Sequence, residues 1–112
     1  MSRDRQLPAA SLHVVLSLLD GELHGYGLMR RVEELSDGAV RMGPGTLYGT
    51  LNRLVESGLI VETTDRRPRS GTERRRYYEL TGTGRQVALD ELTRLQGLVA
   101  RVAHHLPGAA PA

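Results

Sequence analysis

Between Thr46 and Arg53 the chain reads TLYGTLNR, a run of hydroxyl, amide and guanidinium groups of the kinds that bond phosphate oxygens and the edges of bases. Gly49 would let a backbone approach closely, and no acidic residue follows until Glu56. A second basic run lies downstream, where Arg66, Arg67, Arg69, Arg74, Arg75 and Arg76 are opposed only by Asp65 and Glu73. The chemistry these two runs offer is recognition of a polyanion. All 15 basic residues are arginine, against 13 acidic ones, for a net charge of only +2, so the distribution of charge matters more than its total. Arginine is a two-pronged phosphate donor, although an all-arginine set is more readily ascribed to genomic base composition.

Catalytic chemistry finds little support. Gly43-Pro44-Gly45-Thr46 and Gly82-Thr83-Gly84 lack the lysine of a phosphate loop and the third glycine of a dinucleotide turn. No serine, histidine or carboxylate stands in a recognisable nucleophile motif, so neither an enzyme nor a cofactor is expected. Cysteine does not occur, which excludes disulfides and thiolate metal sites. His13 and His24 are isolated, and the adjacent His104 and His105 cannot share a helical face at i, i+4 spacing, so no metal site is expected.

The elements that must position the donors can be read from period and punctuation. Pro44 suits the first position of a helix and Gly58 the left-handed residue just past its end. Between them Leu47, Leu51, Leu54 and Val55 form an apolar stripe, leaving Thr46, Tyr48, Gly49, Thr50, Asn52 and Arg53 on the other side. Upstream, Ala9 to Leu19 is apolar around most of a helix, through Leu12, Val14, Val15, Leu16, Leu18 and Leu19, and calls for partners on two sides. Asp20-Gly21 ends it. His24-Gly25-Tyr26-Gly27 opens a second helix striped by Leu28, Val32 and Leu35, which Ser36-Asp37-Gly38 closes. Helix, helix, turn, helix is the order of a helix-turn-helix. Leu59 to Thr64 and Arg74 to Leu80 then read as two strands of a hairpin whose tip is the basic run, a wing. On the returning strand Tyr78 and Leu80 are expected inward, with Arg75 and Tyr77 available to a nucleic-acid backbone.

Thr81 can cap a final helix reaching about Leu106, where Pro107-Gly108 breaks it into a tail expected to be disordered. Ala88, Leu92, Leu95, Val99, Val102 and Leu106 recur at steps of four and three, a heptad-like seam. Such a helix would be nearly 40 Å long at about 1.5 Å per residue, more than a wing-sized domain can cover. A partner chain is the natural cover, with the first helix of one copy against the last helix of the other. Leu12, Val15, Leu16 and Leu19 would then join the seam in the interface. The expected class is mainly α with a small β-hairpin: a winged helix-turn-helix over residues 1–80, a dimerisation helix over 81–106 and a tail over 107–112. No run is long and apolar enough to span a bilayer, and no apolar block opens the chain, so a cytoplasmic location is expected.

These residues resemble the PadR family of bacterial transcriptional regulators, in its short form with a single C-terminal helix. His24-Gly25-Tyr26-Gly27-Leu28 is similar to the family's second-helix opening. Gly45-Thr46-Leu47-Tyr48 with Leu51, Arg53-Leu54 and Gly58-Leu59-Ile60 is similar to its recognition helix, and Arg75-Arg76-Tyr77-Tyr78 with Leu80-Thr81 and Gly84 to its wing strand and helix start. The resemblance implies a homodimer on double-stranded DNA, reading a palindromic operator, with repression relieved by a small molecule. Tyr26, Thr46, Tyr48, Asn52 and Arg53 would face the operator, and the wing arginines the flanking backbone. One departure concerns the ligand: short members that bind planar drugs carry a large aromatic in the last helix, whereas this chain has neither Trp nor Phe. The candidate pocket is instead an aliphatic cavity lined by Leu12, Val15, Leu92, Leu95 and Val99. The competing reading is a winged helix that meets an acidic protein partner and does not discriminate between DNA sequences.

Overall fold

The computed structural model describes residues 6–64 and 76–108. Helix α1 (Ala9–Ser17) starts after Pro8 and buries Val14, Val15 and Leu18 almost completely. Two buried serines share this helix, and Ser17 Oγ is satisfied by donating to the His13 carbonyl at 2.7 Å. The helix packs on three other helices of its own chain, which is why its apolar residues are not confined to one stripe.

Helix α2 (Gly25–Leu35) buries Leu28 and Val32, but Leu35, expected on the same stripe, is exposed. The chain turns away directly after it, through Asp37 at φ 52° and Gly38 at φ 81°, so nothing continues the core past that point. Helix α3 (Pro44–Glu56) carries Pro44 in its first turn and buries Leu47, Leu51 and Leu54. Val55, assigned to that stripe by spacing, lies at its margin and is exposed. Gly58, at φ 76°, ends α3 in a Schellman arrangement: Leu59 N donates to the Leu54 carbonyl and Gly58 N to that of Val55, both at 3.0 Å.

The sheet has three strands, one more than the hairpin expected. A two-residue strand, β1 (Leu23–His24), pairs antiparallel with β3 (Arg76–Leu80), which also pairs antiparallel with β2 (Ile60–Thr64), in the order β1-β3-β2. Leu23 lies opposite Tyr78 and Ile60 opposite Leu80, so these residues face the helices together. Tyr78 is fully buried, Leu80 is half-buried, and burial pushes the Tyr78 hydroxyl above its ordinary pKa.

Helix α4 (Gly82–Val102) is capped by Thr81 as the spacing suggests. Its first turns pack on α1 and β3, where Ala88 is fully buried and Glu91 nearly so. Arg94 brackets the Glu91 carboxylate at 3.0 and 3.1 Å, which raises the pKa of the guanidinium. Helix α4 stops at Val102, and Ala103–His105 form a single 3-10 turn, so Leu106 falls outside the helix expected to include it. The tail beyond Gly108 lies outside the described residues.

Candidate nucleic-acid interface

Helix α3 is held by its buried leucines so that Thr46, Tyr48, Asn52 and Arg53 all reach solvent. Its first turn contains no acidic residue, so the positive end of the helix is not offset locally. Gly49 is half-buried, with Arg53 Nη1 lying 3.7 Å from where a side chain would begin. A backbone could approach there only by moving the arginine.

Thr50 corrects the sequence reading. Expected among the outward residues, it is fully buried, and its hydroxyl donates to the Thr46 carbonyl at 2.8 Å. Position 50 falls between the flanks of Leu47 and Leu54 on the helix, and a small β-branched residue closes the packing there. Its one outward link is a 3.4 Å bond from Arg53 Nη2, through which it steadies the guanidinium.

Tyr48 is accommodated by a glycine in another helix. Its ring lies across Gly25, where any side chain would overlap the hydroxyl and stand 3.0 Å from the ring carbon Cζ. The glycine at the start of α2 therefore serves the placement of an α3 side chain. Tyr26, in the first turn of α2, is 63% exposed, the most exposed large apolar side chain described. It stacks on His24 at 6.5 Å, and His24 meets Tyr77 edge-on at 5.5 Å, which makes a row of three rings across the start of α2 and the outer side of β3. His24 also caps α2, its Nδ1 accepting from Gly27 N at 3.1 Å. This cap was not among the expected site residues, because Ser, Thr, Asp and Asn are the usual caps and an imidazole in that place gives little signal.

Arg41 was also missed. It stands just before α3 with its side chain 76% exposed, 3.6 Å from Glu33. With Tyr26, Met29, Arg30, Glu33 and Met42 it lines an open groove of about 490 Å³ between α2 and the connector. Its place beside the Pro44 start was the available signal.

Of the wing residues, Arg66, Arg67, Arg69, Arg74 and Arg75 lie outside the described residues. Arg76 is described, and its charge is engaged: Nε and Nη2 each bond the Glu62 carboxylate at 2.8 Å. The bond from Arg76 lowers the Glu62 pKa, and the same bond raises that of Arg76. Register places both residues on the same face of the sheet as buried Tyr78, with Glu62 directly opposite it and Arg76 two residues nearer the wing tip.

The expected interface divides in two. Val15 and Ala88 are fully buried within their own chain, because the start of α4 packs on α1 of the same copy; neither can touch a partner, and Val15 cannot line a shared pocket. Leu12, Leu16, Leu19 and Leu95 are half-buried, whereas Leu92, Val99, Val102 and Leu106 are exposed. Leu89 and Leu98 are exposed as well and widen the uncovered apolar side of α4. Among the described residues no cluster of histidine and carboxylate could hold a metal ion.

Comparison with known proteins follows the same outline. Residues 15–90 match the model of the Transcriptional regulator PadR-like family. The chain is 37% identical over 100 residues to the transcriptional regulator Rv3488 of Mycobacterium tuberculosis, covering 89% of this chain and 88% of that protein. Among solved structures it is similar to a transcriptional regulator from Clostridium thermocellum, with TM-score 0.67 and 20% identity over 87% of this chain and 92% of that one. It is also similar to Bacillus subtilis PadR in complex with operator DNA, with TM-score 0.68 and 22% identity over 94% of this chain and 52% of that longer one. Both likenesses are of fold.

Proposed function

This chain belongs to the PadR-like family of transcriptional regulators, and from that premise we propose that it acts as a homodimeric repressor on a palindromic operator. The observation that carries the reading is the solvent side of α3, where Thr46, Tyr48, Asn52 and Arg53 stand outward behind an acid-free first turn. These groups can read base edges in a major groove, while the wing arginines grip flanking phosphates. Support for pairing comes from α4: Leu98, Val99 and Val102 are 47%, 51% and 50% exposed in one chain, and a second copy would cover them. The winged unit over 1–80 would then contact DNA and the helix over 81–106 would join the copies.

In the dimer two α3 helices would enter major grooves about 34 Å apart, one helical turn. If each dimer neutralises six to ten phosphates, raising salt from 50 to 200 mM weakens binding by about 10³ to 10⁵. A small apolar effector would enter between the paired helices, against Leu12, Leu92, Leu95 and Val99, and release the operator by changing how one copy's α4 sits against the other's. The place of action would be the cytoplasm, and no helix among the described residues is long and apolar enough to cross a membrane.

A duplex shift assay against promoter fragments tests the reading. Retarded complexes that resist excess unrelated duplex support it. Equal displacement by every duplex contradicts it and points to a protein partner for the same basic surface.

A further inference from the structure

All four hydrogen-bonding groups of Thr81 are used at one junction. Its amide donates to the Leu59 carbonyl at 3.0 Å, and its hydroxyl donates to the Gly58 carbonyl at 2.7 Å. The same hydroxyl oxygen accepts from Gly84 N at 2.9 Å, and the Thr81 carbonyl accepts from Arg85 N at 2.9 Å. Gly58 is the residue that ends α3, and Gly84 lies in the first turn of α4. One hydroxyl therefore closes the C-terminus of the recognition helix and the N-terminus of the long helix together. Packing tightens the joint: a side chain at Gly84 would overlap the Leu59 carbonyl oxygen and stand 2.8 Å from its carbon. The contact leaves no room for α4 to slide or tilt against the end of α3.

We infer that Thr81 is a positioning residue that sets the angle between recognition helix and dimer helix, and so the spacing of half-sites the dimer accepts. The inference rests on the dimeric DNA-binding reading above. Its magnitude follows from helix length. Helix α3 has 13 residues, so it extends roughly 20 Å from the junction, and a tilt of about 10° there moves its far end by about 3.5 Å. That is close to the step of about 3.4 Å for one base pair. One inserted base pair also rotates a half-site by about 35°, so a rigid junction rejects it and a loose one tolerates it.

Two substitutions separate this role from simple helix capping. Thr81→Ser keeps both bonds of the hydroxyl. Thr81→Asp keeps the cap, since a carboxylate accepts well from Gly84 N, but it cannot donate to the Gly58 carbonyl and repels it. Affinities are measured for palindromes whose half-site spacing differs by single base pairs. Wild type and T81S should each lose about tenfold or more on insertion or deletion of one pair, and T81D should lose less than about threefold. Wild-type discrimination retained by T81D overturns the inference and leaves Thr81 as a cap alone. Should T81D fail to fold by circular dichroism, Thr81→Ala, which loses both bonds, gives the same reading: flattened spacing preference supports the inference and retained preference overturns it. A wild type indifferent to spacing refutes the two-groove dimer itself, a failure distinct from T81D behaving as wild type.

Discussion

Arg76 grips Glu62 side-on, its Nε and Nη2 each 2.8 Å from a carboxylate oxygen. The side chains are 59% and 35% exposed, so the pair sits at the surface, and its worth to folding is small. Its consequence is for binding. An arginine expected to reach the DNA backbone already holds an anion, and a phosphate could recruit it only by displacing Glu62.

Glu62→Gln should free that charge. Affinity for all duplexes should rise alike, and the plot of log affinity against log salt should steepen by about 0.9 per phosphate gained, ~1.8 for a dimer. Arg76→Ala should change little in wild type and undo the gain when combined with E62Q. An unchanged slope in E62Q would show that Arg76 is already on the DNA or out of its reach.

The same pair has a pH signature. The Glu62 pKa in the folded chain lies below its ordinary 4.5, chiefly because of the Arg76 hydrogen bond. The pair's stabilisation is therefore present at neutral pH and is lost as pH falls below 4.5 and through the lowered folded value. E62Q should lower the melting temperature slightly at neutral pH and converge on wild type as pH falls through that window, so part of the acid limb disappears because its upper plateau drops. A loss of stability that appears in acid and is absent near pH 7 would contradict the sign.

Base reading and backbone grip should separate by mutation. Asn52→Ala or Thr46→Ala should relax preference at particular operator positions, at about 1–3 kcal/mol per lost contact. Replacing Arg66, Arg67 and Arg69 by alanine should weaken every sequence about equally. Selection profiles for both sets check this, and matching effects from the two would refute the division.

Buried and outward positions of α3 make a further contrast. Thr50→Val leaves the Thr46 carbonyl bonded within the helix but removes the bond that steadies Arg53, so it should cost about 1 kcal/mol and relax sequence preference only where Arg53 reads. Leu51→Ala opens the core and should cost about 2–5 kcal/mol in denaturant unfolding. An operator preference altered in T50V at positions that Arg53→Ala leaves unchanged would return Thr50 to the reading surface.

Helix α4 carries the interface prediction. Val99→Asp puts a charge on a side chain that is half exposed in the single chain, so the fold should survive while the dimer dissociates. Sedimentation should show a monomer by weight, and operator affinity should fall by at least about a hundredfold as one half-site is lost. A V99D dimer would place the contact elsewhere on the chain.

Much of this was legible because local rules and tertiary demands agree. Pro44, Gly58 and the leucines between them mark α3 and the centre of its buried side, and Thr81 announces α4. Strand β1 could not be read, since two residues show no period and form a strand only because β3 offers an open edge. Thr50 was misplaced because helical spacing alone cannot tell the margin of a stripe from its centre; the packing of α3 against three other elements decides that. Val15 and Ala88 were misassigned for a related reason. A heptad step shows that residues share a side of a helix, not which chain covers each turn, and the near end of α4 is covered by its own α1. The Gly25–Tyr48 and Glu62–Arg76 contacts join distant parts of the chain, and no local pattern reports them.

The most direct test of the central claim is selection from a random duplex pool by the purified protein at about 150 mM salt. The account predicts enrichment of a palindrome whose half-sites lie about one helical turn apart, roughly 10–10.5 base pairs between centres. A pool no richer in any sequence after selection than before would contradict it.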